Sequence, residues 1–182
     1  MESISCPVCG NKAQSPFVEI RDRLNRTNNE EFQLVKCGCT FVFLNPRLPE
    51  SEIGQYYQND DYDPHREKSF SLMDTAYNAV QFFANRQKLK RINGHCQRGS
   101  MLDVGAGQGD YGHFMDKNGW SVSLCDPFSE YKGELKFYDD ISKISKKDSF
   151  NLITLWHVLE HLHDLDYYLS ALNTLLDEDG IL

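Results

Sequence analysis

The second half of the chain alternates short apolar runs with amphipathic runs. From Ser100 onward, strands are predicted at SMLDVG, WSVSLCD, LKFYDD and FNLITLW, and helices at YGHFMDKNG, which ends at Gly119, and at DLDYYLSALNTLL. Strands that alternate with helices in this way are typical of βαβ units, so the pattern predicts an α/β fold with a doubly wound, parallel sheet. Ligands of such sheets bind beyond the carboxyl ends of the strands, near the point where the strand order reverses.

A different pattern precedes this sheet. FQLVK and TFVFLNPRLPE read as short strands of a small amino-terminal domain, which Pro46 and Pro49 bring to an end. A polar segment rich in tyrosine follows, and after it apolar residues recur at helical spacing. We therefore divide the chain into a small domain at 1–48, a helical connector at 49–98 and a sheet domain at 99–182. The apolar residues of the helical run are Leu72, Ala76, Val80, Phe83 and Leu89.

The polar part of the connector has two interpretations. It is either a solvated linker or a lid over a substrate pocket, since a run that mixes tyrosine with aspartate suits both. In the second interpretation the residues that line the pocket would be Tyr56, Tyr57, Tyr62 and His65.

Four of the six cysteines form two closely spaced pairs, Cys6 with Cys9 and Cys37 with Cys39. Thiols stay reduced in the cytoplasm, where such pairs more often bind metal than form disulfides. We predict that the four thiolates hold one structural zinc ion, as in a zinc ribbon. Two turns with incidental cysteines are the alternative, because the second pair is C-x-C instead of the commoner C-x-x-C. The tight turns are expected at Gly10 and Gly38, and Cys96 and Cys125 are expected to bind no metal.

Charge and hydropathy exclude several classes of protein. The 182-residue chain has a formal net charge of -8 and no block of lysine or arginine, which argues against binding nucleic acid through its phosphates. No apolar run approaches the roughly 18 residues of a membrane span, and the polar start MESISCPVCG lacks the features of a signal peptide. We therefore expect a cytoplasmic protein with no membrane partner, which acts on a small molecule.

The glycine-rich stretch LDVGAGQGDYGHF falls where the first strand of the sheet meets its helix. Glycines let a ligand lie against the main chain, although a plain strand-to-helix turn is the alternative. Asp126 ends the second strand about 20 residues later, where a carboxylate can accept both hydroxyls of an adenosine ribose. Asp110 stands at the third glycine position of the dinucleotide fingerprint, which disfavours a nicotinamide cofactor and hence a dehydrogenase. Asp103, directly before the loop, would repel a pyrophosphate but suits an ammonium group.

These motifs together resemble the Rossmann-like core of class I S-adenosylmethionine-dependent methyltransferases. LDVGAGQG is similar to the first motif of that family, CDP to the acidic end of its second strand, and FNLITLWHVLEHLHD to its fourth strand and the loop after it. The resemblance covers 101–182 and implies S-adenosylmethionine as the cofactor. On the methionine side, the resemblance implies that the cofactor is held by Asp103 and by the loop residues Gly105, Ala106, Gly107 and Gly109. It implies that Trp156 and His157 close that side near the methyl group. On the adenosine side, it implies that Asp126 binds the ribose, that Pro127 and Phe128 lie beside the adenine, and that Asp139 or Asp140 accepts from the adenine amino group.

The stretch WHVLEHLHD has two interpretations of its own. On a helix, His157, Glu160 and His161 would form H-x-x-E-H, the inverted motif of zinc proteases. The preceding NLITLW is β-branched and apolar, however, so it predicts a strand that ends at these residues. Glu160 and His161 then either cap the loop, or a histidine acts as general base for an acceptor that must lose a proton. His157 is the first candidate for that catalytic base, and His161 and His163 come next, with Tyr62 or His65 of the connector as partners.

The resemblance suggests methyl transfer to a small-molecule acceptor. A short cysteine-containing domain before such a core resembles a bacterial group of methyltransferases that modify sugars, often nucleotide-linked, in antibiotic or surface-polysaccharide pathways. Two alternatives stay open. One is a non-catalytic cofactor-binding or regulatory protein, and the other is an RNA-modifying methyltransferase, since zinc ribbons also occur in such enzymes.

The end of the chain adds a further expectation. The family's sheet continues beyond its fourth strand, whereas this chain ends at DEDGIL, where the turn into a fifth strand should begin, so the C-terminal strands are expected to be missing. We therefore expect cofactor contacts to be better preserved than turnover. An exposed sheet edge would also let two copies pair as a homodimer.

Overall fold

The structure is a computed structural model that describes residues 1–21, 31–53, 72–145 and 147–182, and the side chains of all of these except 72–77. Among the helices in these ranges, none is both long and apolar enough to cross a bilayer. The four side chains predicted to line a lid, Tyr56, Tyr57, Tyr62 and His65, lie outside the described residues.

The chain forms two compact units, each with a sheet of its own. The predicted connector 49–98 is divided between them, because its helical run packs with the large sheet. Unit 1 comprises 1–66 and 163–166, and unit 2 comprises 67–162 and 167–182.

Unit 1 is built on an antiparallel sheet around a small core of Cys6, Val35, Cys37 and Phe43. The sequence predicted the second and third strands but not the first. That strand lies at the sheet edge, is exposed along nearly its whole length, and shifts register just after Pro16, so it shows no apolar alternation. The strands, in spatial order, are β1 (Gln14–Arg21), β2 (Glu31–Cys37) and β3 (Val42–Leu44), and a one-turn helix, α1 (Glu50–Ile53), follows.

Unit 2 contains a five-stranded sheet in which every pair of neighbours is parallel. This confirms the predicted α/β class and parallel sheet. The spatial order is β6, β5, β4, β7, β8, so the chain winds outward from β4 to one edge and then returns to β7, and the order reverses between β4 and β7. The strands are β4 (Ser100–Val104), β5 (Ser121–Cys125), β6 (Lys136–Tyr138), β7 (Phe150–Leu155) and β8 (Leu176–Ile181).

The expectation that the chain ends before a fifth strand was wrong. Residues Leu176–Ile181 form β8, which pairs in parallel with β7 and places Leu176 beside Phe150 and Ile181 beside Leu152. The segment LDEDGI is mostly polar and its middle is exposed, so the sequence pattern alone did not indicate a strand. Pairing with a neighbouring strand overrides weak intrinsic preference in such cases.

Helices cover both faces of this sheet. Successive strand residues point to opposite faces, so Leu102 packs with the α4 residues Leu172 and Leu175, while Met101 packs with residues of α2 and α3. These buried faces are what fix the positions of the strand ends. The helices are α2 (Leu72–Ile92), α3 (Asp110–Lys117) and α4 (Leu165–Leu175).

The predicted buried stripe of α2 is only partly correct. Leu89 is buried as expected, but the side chains of Val80 and Phe83 are 69% and 64% exposed. Among the α2 side chains that the structure describes, from 78 onward, Asn85, Leu89 and Ile92 are buried. The side chains of the predicted positions Leu72 and Ala76 lie outside the described ones, and at Val80 and Phe83 the apolar spacing was misleading.

Candidate functional site

The glycine-rich loop connects β4 to α3 at the carboxyl edge of the large sheet. Gly105, Gly107 and Gly109 have φ of 69°, 55° and 79°, a left-handed conformation that residues with side chains rarely adopt. A Cβ at Gly105 would overlap Cγ2 of Val158, and one at Gly109 would come within 2.9 Å of a methyl group of Leu124. The glycine pattern is therefore required both by the backbone path and by the close approach of neighbouring side chains.

Asp126, at the end of β5, is bound to this loop. Its Oδ2 accepts a hydrogen bond of 2.8 Å from the amide of Gly107, and its Oδ1 accepts one of 2.8 Å from the amide of Phe128. Ser129 reinforces the link by donating from Oγ to the carbonyl oxygen of Gly107 at 2.6 Å. Because a carboxylate oxygen has two lone pairs, Asp126 keeps acceptor capacity for a ligand. The predicted proximity of Asp126 to the glycine loop is what the structure shows.

Asp103 is a buried carboxylate one residue before the end of β4, with 3% of its surface exposed. Thr154 of the neighbouring strand β7 donates a hydrogen bond of 2.6 Å from Oγ1 to its Oδ1. Burial raises the pKa of Asp103 to about 6, although the Thr154 hydrogen bond and the charge of Lys88 act in the opposite direction. A negative charge is thus held away from water at the point where the strand order reverses.

The charge of Asp103 acts on Lys88 and Tyr111, and both of these side chains lie against Trp156. Of the three, Trp156 alone was predicted from the sequence as a site residue. The Lys88 ammonium of α2 lies 4.1 Å from the ring centroid of Trp156 and 5.0 Å from that of Tyr111. The two rings are nearly perpendicular, with centroids 6.0 Å apart. We call Asp103, Tyr111 and Trp156 the cation cage.

Tyr111 adds an unsatisfied polar atom to the cage. Its hydroxyl is buried, and no described residue accepts a hydrogen bond from it. Burial, and next the charge of Asp103, raise its pKa, while the nearby Trp156 indole acts in the opposite direction, so it stays a neutral donor. A buried donor without an acceptor is unfavourable, and an acceptor atom of a bound ligand would satisfy it. Its place in the first helical turn after the glycine loop was the one signal in the sequence that could have identified it.

The four residues predicted to lie on the adenine side are either exposed or bound to local partners. Pro127 is exposed, and the side chain of Phe128 is 94% exposed. Asp139 forms an ion pair of 2.6 Å with Lys143, and Asp140 accepts from the amide of Ser142 at 2.7 Å. The Lys143 ammonium lowers the pKa of Asp139. The pKa of Asp140 is lowered by the Ser142 side chain and, next, by the Ser142 amide. Both carboxylates therefore have local structural partners, and the contact with adenine stays a prediction.

The histidines of WHVLEHLHD follow a strand and do not share an α-helix. β7 ends at Leu155, and His157 adopts φ of 60°, which directs the chain into a short 3-10 turn at Leu159–His161. The His157 side chain is 89% exposed, and its Nδ1 lies 3.9 Å from Glu160 Oε1. In the described part of the chain, these side chains do not form a three-ligand metal group. The geometry contradicts the zinc-protease interpretation and agrees with the strand-and-loop interpretation.

The four paired cysteines come together in unit 1. Their sulfur atoms all lie within 4.8 Å of one another, with Cys6 to Cys39 at 3.6 Å and Cys9 to Cys37 at 3.5 Å. Sulfurs bound tetrahedrally to one zinc ion at ~2.3 Å would be ~3.8 Å apart, so the arrangement fits a single ion. The thiols are free, not disulfide-bonded.

The turns around these cysteines differ in one respect from the prediction. Gly10 has the expected positive φ of 70°, and its amide donates to the carbonyl oxygen of Cys6. In the second pair the positive φ of 76° belongs to Thr40, not to Gly38. In both pairs, the residue with positive φ directly follows the second cysteine.

The protonation of these thiols indicates a site suited to a cation. Burial raises the pKa of Cys6, but the amides of Val8 and Cys9 outweigh it and lower this pKa to about 7. The amide of Asn11 favours the Cys9 thiolate, yet the nearby Cys37 and Cys39 thiols raise the pKa of Cys9 to about 12. Four thiols this close cannot all ionise without a cation between them.

The strand order and the glycine loop are typical of a Rossmann-like α/β domain. A family model described as a methyltransferase domain matches residues 72–182, which is more than half of the chain. The chain belongs to this family of methyltransferase domains. The match begins at the first residue of α2, so the family includes the helix that carries Lys88. A search of curated proteins finds no match.

The residues present fit the cofactor that a methyltransferase domain implies. S-adenosylmethionine combines an amino-acid end, with an ammonium and a carboxylate, with a sulfonium and an adenosine. The cation cage offers a buried carboxylate and two aromatic faces for the positive groups, and the Tyr111 hydroxyl can donate to the carboxylate. Asp126 is placed at the end of the adjacent strand for the ribose.

Proposed function

We propose that the protein binds S-adenosylmethionine at the carboxyl edge of β4, β5 and β7, as a class I methyltransferase, and transfers a methyl group to a small-molecule acceptor. The observation that carries the proposal is Asp103, a nearly fully buried carboxylate directly before a left-handed glycine loop. A buried negative charge is costly to maintain, so its natural complement is a cationic ligand. A nicotinamide dinucleotide would instead bring a pyrophosphate, which this charge repels.

The roles of the residues follow from their positions. Asp103 accepts from the cofactor ammonium, the loop Gly105–Gly109 lets the cofactor lie against the main chain, and Asp126 accepts from the ribose hydroxyls while holding Gly107 in place. The cofactor, when bound, supplies a methyl group already activated by the sulfonium. What the protein must add is alignment of the acceptor and exclusion of water.

His157 is the proposed base for acceptors that must lose a proton. It follows β7 at the same carboxyl edge as Asp103 and Asp126, and its side chain is exposed and thus accessible to a second substrate. Its Nδ1 lies 3.9 Å from Oε1 of Glu160, and a histidine within reach of the acceptor hydroxyl can take its proton during transfer. A hydroxyl of a sugar, including a nucleotide-linked one, is the proposed acceptor class.

For unit 1 we propose a structural zinc ion held by Cys6, Cys9, Cys37 and Cys39. The support is the mutual distance of the four sulfurs and the burial of two of them, Cys6 and Cys37. A four-thiolate set leaves no open coordination position, so the ion would stabilise the fold of this unit instead of taking part in methyl transfer.

Calorimetric titration with S-adenosylhomocysteine tests the cofactor class. We expect saturable binding to the wild-type chain and an affinity at least tenfold lower for Asp126→Ala. Asp116→Ala, which removes an exposed carboxylate of α3 in the same unit, should bind with wild-type affinity. A nicotinamide dinucleotide should not bind. Preference for the dinucleotide would contradict the proposal and restore the dehydrogenase alternative.

Transfer of labelled methyl groups then separates enzyme from binding protein. Candidate acceptors are nucleotide-linked sugars, free sugars and bulk RNA, each incubated with labelled S-adenosylmethionine. Label in a sugar fraction supports the proposed acceptor class, and label in RNA supports the RNA-modifying alternative instead. Cofactor binding without transfer to any fraction would favour a non-catalytic, regulatory role.

A further inference from the structure

We propose that Lys88 is a built-in occupant of the cation cage: without ligand, its ammonium lies against Trp156 and Tyr111, and the cationic methionine end of the cofactor displaces it. This inference rests on the proposed function and adds to it a lysine that competes with the cofactor. Lys88 lies on α2, upstream of the glycine loop and of all the residues assigned to cofactor binding above.

The Lys88 ammonium lies against two aromatic rings at once. Distances of 4.1 Å to the Trp156 ring centroid and 5.0 Å to the Tyr111 ring centroid are both within the range of cation–π attraction. The rings stand at 84° to each other, so they form two walls of one corner. Lys88 is therefore seated in the corner and does not merely pass across one ring.

The cation cage also contains a negative charge, that of Asp103. Asp103 is close enough for its charge and that of Lys88 to influence each other, and it is nearly fully buried. The features that attract the Lys88 ammonium are thus the features proposed to attract the ammonium and sulfonium of the cofactor. Two like charges a few ångströms apart in a site of low dielectric repel strongly, so the corner holds one of them at a time.

The Lys88 ammonium is able to leave the cation cage. Burial lowers the pKa of Lys88, which means that its charged form is less well solvated in the corner than in water. The lysine stem is long and flexible, so the ammonium can withdraw without movement of α2. Lys88 then acts as a temporary counterion that keeps Asp103 compensated until the ligand arrives.

Replacement of Lys88 by methionine, which has a similar shape but no charge, tests this idea. Binding of S-adenosylmethionine and S-adenosylhomocysteine is measured for the wild type, Lys88→Met, Lys88→Arg and Lys90→Met, the last being an exposed lysine on the same helix. We expect Lys88→Met to bind S-adenosylmethionine on the order of tenfold tighter. Lys88→Arg retains the competing charge and should not bind more tightly, and Lys90→Met should match the wild type.

Unchanged or weaker binding by Lys88→Met would overturn the inference, because it would mean that Lys88 is either irrelevant or a direct cofactor ligand. If none of the four proteins binds either molecule, the proposed function itself fails. The thermal midpoint of each variant, measured in parallel, distinguishes a folded protein from one that has lost its structure.

Tryptophan fluorescence gives a readout that does not depend on affinity. Trp156 is half-exposed with the ammonium on its face, whereas Trp120, the other tryptophan, is buried in the core. If the ligand displaces the ammonium, saturation should change the wild-type emission by more than that of Lys88→Met. Identical changes in the two proteins would show that Lys88 does not move.

Discussion

Thr154 donates a hydrogen bond of 2.6 Å to Asp103, and the two residues are direct partners in the register of the parallel strands β7 and β4. Both side chains are buried. The pair lies at the junction where the strand order reverses, so the sheet itself fixes the direction of the carboxylate. Thr154 thus holds Oδ1 of Asp103 in place, and Oδ2 is left to accept from a ligand.

Thr154→Val tests how much the hydrogen bond between Thr154 and Asp103 contributes to the stability of the protein. Valine keeps the shape but removes the donor, so the charged carboxylate loses a buried partner, a change of about 1.5–3 kcal/mol in the free energy of unfolding. Urea unfolding at pH 8, with Asp103 ionised, measures it. Thr174→Val, on the exposed side of α4, is the control and should change stability by less than about 0.5 kcal/mol. Equal losses in both variants would mean that the Asp103 contact is not special.

The raised pKa of Asp103 predicts a dependence of stability on pH. The folded protein holds the Asp103 proton up to about pH 6, whereas the unfolded chain releases it at the ordinary value of 3.8. The contribution of this residue is therefore full below the unfolded pKa and is lost as pH rises through 6. The loss between pH 4 and pH 7.5 is about 2 kcal/mol.

Asp103→Asn isolates this contribution because asparagine does not titrate. The difference in unfolding free energy between the variant and the wild type should shift in favour of the variant as pH rises from 4 to 7.5. A difference that stays constant across that range would mean that the carboxyl titrates normally.

The fold and the site differ in how far the sequence predicted them. Continuous apolar runs identified β4, β5 and β7, and the rule that parallel strands end at one edge brought Asp103 and Asp126 together. Lys88 was not identified, since in the run QKLKRI it resembles any lysine on a helix surface. Its role depends on which turns of α2 pack on the sheet, and apolar spacing misjudged that at Val80 and Phe83.

Gly105→Ala tests whether the glycine loop must be free of side chains. The new methyl group would overlap Val158, a β-branched side chain with little rotational freedom, and alanine would be strained at φ of 69°. We expect a loss of about 1–3 kcal/mol in stability and at least tenfold weaker binding of S-adenosylhomocysteine. Gly38→Ala is the control, because a Cβ there meets no atom within 4 Å. Wild-type binding by Gly105→Ala would show that the loop does not contact the cofactor.

Removal of metal should act on unit 1. Metal analysis of the purified protein is expected to give one zinc per chain, and Cys9→Ser or Cys39→Ser, which change the two exposed thiols, should lower that content. A chelator should lower the thermal midpoint of the wild type. Cys96→Ser, which changes a cysteine outside the four-cysteine group, should retain full zinc content. Zinc content unaffected by loss of Cys9 or Cys39 would exclude the four-thiolate site.

The role of His157 is best tested by replacement with asparagine, because asparagine tolerates the left-handed backbone that His157 adopts at φ of 60°. Since His157 is exposed and is proposed to act on the acceptor, His157→Asn should leave the affinity for S-adenosylhomocysteine within about twofold while lowering kcat by ~10²–10⁴. His161→Asn, in the following 3-10 turn, should have a smaller effect on kcat. The measurement is methyl transfer to the acceptor identified by labelling, as a function of pH. If His157→Asn keeps wild-type kcat while His161→Asn loses it, the base is His161, and if neither changes kcat, the acceptor needs no histidine to remove its proton.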